Sequence, residues 1–296
     1  MKIAITGATG LIGSSLSEHL EGKGHDILKL SRSKNRGKGF VYWNYKSKEI
    51  DLESLEGSDA VIHLSGESIA GYWSKQKKKE IQRSRIEGTN FVVNSILKLK
   101  NKPKAFICAS AIGFYGDRGD EIVNEQSSHG EGFLAELAKD WENESHILKQ
   151  QNIRVVNLRI GLVLSTDGGA FKTMLIPFKM GVGGKLGSGK QYMSWVMLED
   201  VINSIEFIIK NKDIHGAVNI VAPTPVTNQQ FTKKLGKALC RPTFFTVPSL
   251  LLKTLVPDMA KEMILSSTRA VPKKLIDSGY RFSYPNLDNV FKDLLN

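Results

Sequence analysis

The 296-residue sequence contains little cysteine and lacks a long hydrophobic run. Neither of its two cysteines, Cys108 and Cys240, belongs to a CxxC motif or a Cys/His cluster, which argues against a disulfide scaffold and a structural zinc site. The six histidines show no spacing typical of metal ligands. No segment approaches the roughly 20 apolar residues that span a bilayer, and the short apolar stretch after Met1 is interrupted by glycines. We therefore expect a cytoplasmic protein without a metal and without a membrane partner.

Acidic residues are in the minority. The sequence has 30 aspartates and glutamates and 41 lysines and arginines, which gives a net charge of +11. Such a charge suggests nucleic acid as a partner, but the cations are spread over the chain. The dense run at 75–79 has a single aromatic residue nearby and is better explained as the solvated start of a helix. The composition predicts a small-molecule substrate, no nucleic-acid partner and a positive field that attracts phosphorylated ligands. It leaves the oligomeric state open.

Apolar runs alternate with helical patterns through the first two thirds of the chain. The predicted strands are KIAIT, DILKLS, GFVYW, DAVIHLS, KAFICAS and RVVNLRIGLVLS, and the predicted helices between them are 11–24, 74–100 and 131–151. This order is typical of βαβ units. It predicts an α/β fold with a doubly wound parallel sheet of Rossmann type.

The pattern changes near Thr224, where prolines become frequent and helical segments become short. The predicted helices in this part are 227–239, 249–255 and 258–265. We predict a Rossmann domain at 1–221, which includes a glycine-rich substrate loop at about 165–195. A small, mainly helical C-terminal lobe at 222–296 is predicted to cover the cleft.

The strongest motif, TGATGLIG, lies between the first predicted strand and the first predicted helix. A turn there needs a residue without Cβ at Gly7, a close approach of the backbone to a pyrophosphate at Gly10, and tight packing of helix on strand at Gly13. The amides of Gly10, Leu11 and Ile12 would then point at a phosphate from the helix N-terminus. The motif predicts a dinucleotide site.

The end of the second predicted strand indicates which dinucleotide fits. An NAD-binding fold offers an Asp or Glu there to the ribose hydroxyls. This chain has Ser31 and Arg32 instead, with Lys34 and Arg36 close behind. A hydroxyl and a guanidinium suit a 2′-phosphate, so the sequence predicts NADP(H) as the cofactor, with a solvated basic loop as the alternative.

A second contact with the dinucleotide is predicted after the fourth strand, at Leu64, Ser65 and Gly66. Ligands of open α/β sheets bind at this edge, where the strands end. Gly66 would let the backbone pass close to a ligand, although an ordinary turn between strand and loop has the same composition.

The motifs TGATGLIG, DAVIHLSG, ASAIGFYGD and RIGLVL, in this order and spacing, resemble the extended short-chain dehydrogenase/reductase superfamily of nucleotide-sugar epimerases and dehydratases. With SRIEGT, GSGKQYMSWV and the tail VPKKLIDSGYRFSYPNLDNVFKDLL, the chain is similar over essentially its whole length to the SDR39U1-like epimerase family proteins, which carry a C-terminal DUF1731 region. The cofactor positions that this resemblance implies are Gly7, Thr9, Gly10, Leu11, Ile12, Ser31, Arg32, Leu64 and Ser65.

The resemblance also implies that the segment EIQRSRIEGT faces the cofactor. Arg85 stands where standard extended members carry an Asn, and Glu80 would contact the ribose or orient Arg85. A surface ion pair is the alternative for both residues. Arg159, at the end of the sixth strand, is a candidate contact for a phosphate or carboxylate, with a structural ion pair as its alternative.

Standard extended members transfer a proton with a Tyr and a Lys four residues later, and the resemblance places Leu134 and Ala138 at these two positions. Neither side chain can transfer a proton. Ser110 and Tyr115 remain as candidate catalytic residues, with a water as the third choice and a packed tyrosine as the alternative for Tyr115. In the predicted substrate loop, the residues suited to a phosphate or sugar are Lys190, Gln191, Ser194 and Trp195.

These patterns predict an NADP(H)-dependent oxidoreductase or epimerase-like enzyme that acts on a small, phosphorylated or nucleotide-linked carbonyl or alcohol. Because the Tyr/Lys pair is missing, the alternative is a noncatalytic NADPH-binding protein that senses redox state or regulates a partner.

Replacing Arg32 tests the choice of cofactor. We expect the unmutated protein to bind NADPH more tightly than NADH, and Arg32→Asp to reduce this preference by about tenfold to a hundredfold, because a charge-assisted contact worth ~1.5–3 kcal/mol is lost. Calorimetric titration with both cofactors measures the preference. Equal affinities of the unmutated protein for the two cofactors would contradict the prediction.

Overall fold

A mostly parallel sheet of eight strands forms the centre of the computed structural model, which describes residues 1–33, 37 and 39–295. The strands, in and outside this sheet, are β1 (Lys2–Thr6), β2 (Asp26–Ser31), β3 (Phe40–Asn44), β4 (Glu49–Ile50), β5 (Ala60–His63), β6 (Ala105–Ala111), β7 (Ile122–Val123), β8 (Arg154–Ile160), β9 (Leu162–Leu164), β10 (Gly184–Leu186), β11 (Tyr192–Met193), β12 (Trp195–Met197), β13 (Gly216–Ile220), β14 (Val226–Thr227), β15 (Phe245–Val247) and β16 (Arg269–Ala270). The α-helices are α1 (Leu11–Gly22), α2 (Leu52–Leu55), α3 (Lys75–Lys98), α4 (Phe133–Asn143), α5 (Gly169–Lys179), α6 (Leu198–Lys210), α7 (Asn228–Ala238), α8 (Ser249–Leu255), α9 (Pro257–Met259), α10 (Lys273–Asp277) and α11 (Val290–Leu295).

The strand order β13-β8-β6-β5-β1-β2-β3-β4 places the first strand in the middle of the sheet. Neighbouring strands are parallel except for β3 and β4. The chain adds β2 and β3 on one side of β1 and then crosses to begin β5 on the other side. This change of direction opens a crevice at the carboxyl ends of β1 and β5, where ligands of such sheets bind. The predicted doubly wound sheet of Rossmann type is confirmed.

Helices cover both faces of the sheet and bury the apolar side chains of its strands. On one face, Leu16 of α1 and Ile205 of α6 pack with Ile3 of β1. On the other face, Val92 of α3 packs with Phe106 of β6. The near-continuous apolar runs of the central strands follow from this arrangement, because both of their faces exclude water.

Two predicted helices differ in detail from the observed ones. The helix predicted at 74–100 is observed as α3, at Lys75–Lys98. Its hydrophobic periodicity predicts a core stripe of Ile81, Ile86, Phe91, Val92, Ile96 and the C-cap Leu99, of which Ile86 and Phe91 are only half-buried and the other four are buried. The helix predicted at 131–151 ends at Asn143 and is followed by a 3₁₀ turn at His146–Gln151. There the hydroxyl of Ser145 donates to the carbonyl of Glu142, which offers the backbone an alternative to the helical ladder.

The C-terminal part of the chain contains two of the predicted short helices, α7 and α8, whereas the helix predicted at 258–265 is the short α9 followed by a π-helical turn at Ala260–Ile264. This part pairs with the first part of the chain at three places. Helix α7 begins with a capping box formed by Thr227 and Gln230. Strand β14 pairs with β11, β15 pairs with β10, and β16 pairs with β7. The predicted division after residue 221 falls just beyond β13 and stays a prediction.

No helix within the described ranges is both long and apolar enough to cross a membrane. The same ranges contain no group of three or more His, Cys, Asp or Glu side chains that could hold a metal ion. Cys108 is buried and Cys240 is exposed, and both are free thiols.

The buried carboxylate of Asp200 fixes the C-terminal segment to α6. Its oxygens accept hydrogen bonds from the amides of Ser283 and Tyr284, at 2.8 and 2.9 Å, and from the hydroxyl of Tyr280 at 3.3 Å. Burial raises the pKa of this carboxyl, and the two amide hydrogen bonds oppose that effect. The carboxylate therefore supplies partners for two backbone amides that lie away from any strand or helix.

Removing this carboxylate should destabilise the fold. We expect Asp200→Ala to lower the free energy of unfolding by about 2–4 kcal/mol, because two amides lose their acceptors. The exposed Asp213 supplies the matched control, and Asp213→Ala should stay within about 0.5 kcal/mol of the parent. Urea denaturation measures both; similar losses in the two variants would contradict the role assigned to Asp200.

Candidate functional site

Two glycines fix the turn between β1 and α1 because no side chain fits at either position. Gly7 has φ +71°, and a Cβ on it would lie 2.8 Å from the carbonyl carbon of Leu64. A Cβ on Gly13 would lie 2.2 Å from the carbonyl oxygen of Gly7. The first glycine therefore lets β1 approach the end of β5, and the second lets α1 pack directly on the turn.

Gly10 differs from these two because its missing side chain leaves space that the protein does not fill. Among the described residues, a Cβ there would meet only the Gly7 oxygen, at 3.4 Å, and Gly10 is exposed. Gly10 is the N-cap of α1, which has neither a side-chain cap nor an acidic residue in its first turn. The amide of Gly10, predicted to point at a phosphate, instead donates to the carbonyl of Gly7 at 2.9 Å and closes the turn. The first amides of the helix, those of Leu11 and Ile12, suit an anionic group in the crevice.

The loop after β5 forms the opposite wall of the crevice. Leu64 and Ser65 are half-buried, and Gly66 is exposed. A Cβ on Gly66 would lie 3.5 Å from the guanidinium carbon of Arg85. The predicted residues after β1, those after β5 and Arg85 of α3 therefore border one crevice.

Behind this crevice lies a buried histidine that the sequence patterns did not single out. Nδ1 of His63 and the hydroxyl of Thr6 are 2.7 Å apart and connect the last residues of β5 and β1. Burial lowers the pKa of His63 to about 3, so the imidazole is neutral at pH 7. Its Nε2 has no hydrogen-bond partner in the part of the chain that the structure describes. A histidine inside an apolar strand run gives no signal that separates it from an ordinary core residue.

The predicted 2′-phosphate residues lie at the end of β2. Ser31 is buried, and its hydroxyl accepts a hydrogen bond from the amide of Ser33 at 3.1 Å. Arg32 is exposed and close enough to Glu67 to help lower the pKa of that carboxyl, although the hydrogen bond from Lys77 is the main cause. The guanidinium of Arg32 therefore remains accessible to a ligand. Lys34 and Arg36 lie outside the described residues.

Arg85 and Glu80 both lie on α3 and have separate partners. Nη1 of Arg85 donates to the carbonyls of Glu67 and Ile81, at 3.0 and 3.2 Å, and burial lowers the pKa of Arg85 to about 10. Glu80 pairs with Lys46 at 3.2 Å and accepts a hydrogen bond from the side chain of Gln76. The arrangement thus holds Arg85 against the loop after β5 through backbone carbonyls and not through Glu80.

Ser110, Tyr115 and Arg159 come together in a buried polar cluster below the ends of β6 and β8. Two nitrogens of Arg159 donate to the carboxylate of Glu142, at 2.8 and 2.9 Å, and a third donates to the Tyr115 hydroxyl at 3.1 Å. Tyr115 in turn donates to the side-chain oxygen of Asn219, and Ser110 donates to Glu142, both at 2.7 Å. All five side chains are buried, so each of the three predicted residues already has internal partners.

This cluster keeps the Tyr115 phenol protonated. Burial raises the pKa of the phenol, although the nearby charge of Arg159 and the hydrogen bonds of the hydroxyl oppose the effect. The proposed roles of Ser110 and Tyr115 in catalysis, and of Arg159 in cofactor binding, stay predictions. The sequence patterns missed Glu142 and Asn219 as partners, although a polar residue at the centre of β13, in the run AVNIVAP, is a signal that could have identified Asn219.

At the expected positions of the Tyr/Lys pair, α4 presents a half-buried Leu134 and a buried Ala138. The amide of Leu134 donates to the carboxylate of Glu262 at 3.2 Å. Met259 packs in the same apolar cluster as Leu134 and Trp73. The C-terminal part of the chain therefore reaches the beginning of α4 and contacts it through both a carboxylate and apolar side chains.

The predicted substrate loop is mostly engaged in internal contacts. Gln191 donates to the carbonyl of Leu186, Ser194 donates to that of Thr268, and the indole of Trp195 donates to that of Thr224. Among the four residues predicted to meet a phosphate or sugar, Lys190 is exposed. The other three are buried and hold the loop in place.

Comparisons with known proteins agree with this geometry. Residues 3–221 match the model of the NAD dependent epimerase/dehydratase family, and residues 247–294 match DUF1731, a domain of unknown function. Epimerase family protein YfhF of Bacillus subtilis is 36% identical over 100% of this chain and 98% of its own length. Human epimerase family protein SDR39U1 is 31% identical over the full length of both chains.

Comparison with solved structures indicates the same family and fold. The crystal structure of human SDR39U1 (isoform 2) with NADPH matches 99% of both chains with a TM-score of 0.91 and 30% identity. The UDP-N-acetylglucosamine 4-epimerase of Bacillus cereus matches with a TM-score of 0.76 at 18% identity, which indicates a shared fold alone. The chain belongs to the NAD dependent epimerase/dehydratase family, among the epimerase family proteins that end in a DUF1731 region.

Proposed function

We propose that the protein binds NADP(H) in the crevice between β1 and β5 and acts as an oxidoreductase or epimerase-like enzyme. The observation that carries this proposal is the uncapped N-terminus of α1 behind Gly10, where the missing Cβ leaves room for a pyrophosphate. The NADPH in the crystal structure of SDR39U1, a relative over the whole chain, supports the same cofactor.

The residues at the crevice fit the parts of this dinucleotide. The first amides of α1 suit the pyrophosphate, and the accessible guanidinium of Arg32 suits a 2′-phosphate. Leu64, Ser65 and Gly66 offer backbone along the opposite wall. Arg85 would contribute to cofactor binding by its position against this wall. Glu80 would contribute indirectly, through its ion pair with Lys46.

The bound nicotinamide would supply hydride transfer, and the protein's own residues would position the substrate and account for the proton. Leu134 and Ala138 cannot hold an ionisable proton. The hydroxyls of Ser110 and Tyr115 are buried and already donate to Glu142 and Asn219. We therefore propose that solvent water, the third choice from the sequence, and not the hydroxyl of Ser110 or Tyr115, delivers the proton to a small carbonyl substrate or takes it from an alcohol.

The second candidate function is a noncatalytic NADPH-binding sensor. The specific observation in its favour is the packing of Leu134 and Ala138 at the positions of the proton-transfer pair. A sensor binds NADPH and NADP+ with different affinities and consumes neither, whereas an enzyme exchanges hydride with a ligand. A screen of carbonyl compounds for NADPH oxidation, with cofactor affinities measured alongside, separates the two. The cytoplasmic location stays a prediction.

Gly10→Val tests the cofactor site. We expect it to abolish NADPH binding and to leave the far-UV circular dichroism spectrum unchanged. The added side chain enters the crevice, and in the described part of the chain only one atom lies within 4 Å of its Cβ. The matched control is Gly22→Val at the other end of α1, where a Cβ meets no atom within 4 Å. If Gly10→Val retains the cofactor affinity of the control, the turn is structural only.

A second test concerns the proton. Once a substrate is found, Ser110→Ala and Tyr115→Phe should each keep turnover within about tenfold of the parent, because a general acid or base typically contributes about 10²–10⁴-fold and water would take that role here. Both variants should lose thermal stability, since each deletes a buried hydrogen bond. Cofactor affinity is measured in each to detect a binding defect. A loss of turnover in the range of 10²–10⁴ for either variant, at unchanged affinity, would assign the proton to that hydroxyl.

A further inference from the structure

Helix α8 is apolar yet exposed. Its sequence is SLLLKTL, and none of its seven residues is buried. The preceding strand β15 starts beside two exposed phenylalanines, Phe244 and Phe245, whose ring centroids are 4.6 Å apart. Leucine and phenylalanine side chains in this number usually lie in a core, so their exposure indicates a surface that binds something.

These side chains adjoin a second exposed apolar segment at the end of α5. Strand β10 pairs with β15, with Gly184 opposite Phe245. The chain reaches β10 directly from α5, where the amide of Val182 donates to the carbonyl of Pro177. We call the combined region the apolar surface. Its side chains, each between 45% and 76% exposed, are Ile176, Met180, Val182, Phe244, Phe245, Leu250, Leu251 and Leu255.

The two stretches of chain that contain the apolar surface carry charge of one sign, and the acidic residues that follow them, Asp258 and Glu262, already have internal partners in Lys78 and the amide of Leu134. The residues from 168 to 198 and from 214 to 257, which include the apolar surface and its flanking sequence, contain nine lysines and arginines and no aspartate or glutamate. Seven of the nine are exposed: Lys172, Lys179, Lys190, Lys233, Lys237, Arg241 and Lys253. Within the described residues, Lys234 alone among the nine forms a salt bridge, with Asp288. Most of these cations are therefore available to an external anion.

We propose that the apolar surface docks on the anionic phospholipids of a membrane. Leucine and phenylalanine side chains partition into the boundary between headgroups and acyl chains, and lysines beside them bind the phosphates. A protein partner fits less well, because the cores of protein interfaces are depleted in lysine. The prediction of no membrane partner rested on spanning length, and this mode of binding needs no spanning helix.

Cosedimentation of the full-length protein with vesicles tests the proposal. We expect binding to vesicles of phosphatidylcholine mixed with phosphatidylglycerol, loss of that binding at high salt, and no binding to phosphatidylcholine alone. Binding to neither kind of vesicle would overturn the proposal. Equal binding to both would also overturn it, because the lysines would then not select anionic phospholipids.

Paired variants locate the binding surface. Leu250→Glu with Leu255→Glu should lower partitioning by at least about tenfold, because both side chains lose their apolar contact with the bilayer. Ile147→Glu, at an exposed isoleucine elsewhere, should leave it unchanged. Lys179→Glu with Lys253→Glu should also lower it by at least about tenfold, whereas Lys149→Glu with Lys212→Glu serves as the charge control.

Light scattering on the same proteins without vesicles measures their oligomeric state and tests the rival occupant of the apolar surface, a second copy of the chain. All substituted residues are exposed, so circular dichroism should report unchanged folding. The protein could fail to bind anionic vesicles and instead form a dimer that dissociates in the double variant Leu250→Glu with Leu255→Glu. A second copy would then cover the apolar surface, and the membrane proposal would be wrong. If the controls lose as much binding as the test variants, nonspecific charge drives the binding and the proposal fails as well.

Discussion

The close approach of α1 to the turn after β1 determines the rest of the site. Any side chain at Gly13 would collide with the carbonyl oxygen of Gly7, so the helix and the turn are in direct backbone contact. This contact fixes where the N-terminus of α1 lies relative to the ends of β1 and β5. The uncapped amides, the open space at Gly10 and the loop after β5 then share one crevice without any long side chain to organise them.

Sequence patterns predicted the fold well because the signals involved are local. Apolar runs such as DAVIHLS identify buried parallel strands, and the glycine spacing identifies the strand-turn-helix unit. Even the exposed helix α8 was predicted with its observed bounds, at 249–255. The exposure of its leucines could not be predicted, because an apolar heptapeptide looks the same whether it faces a core or the solvent.

The candidate site was predicted in part. Residues whose role depends on local backbone were predicted, whereas the partners of residues that interact across long sequence separations were not. Residues of the glycine turn act through their own backbone, which local sequence determines. Ser110, Tyr115 and Arg159 act through partners more distant in the chain, such as Asn219 at 104 residues from Tyr115. No spacing rule connects such residues, so whether a hydroxyl faces the cleft or a buried arginine depends on the tertiary packing.

The packing at the start of α4 also determines whether a proton-transfer pair could be introduced at Leu134 and Ala138. Ala138 is buried against the sheet, so a lysine there would place an uncompensated charge in the core. The side chain of Leu134 packs beside Gly113, where an added Cβ would lie 3.4 Å from the Leu134 Cβ, so a larger residue at 134 has little room on that side. Two substitutions alone would therefore be selected against for stability before they could be selected for activity. A proton donor on this scaffold is therefore easier to introduce at an exposed position along the crevice than on the buried side of α4.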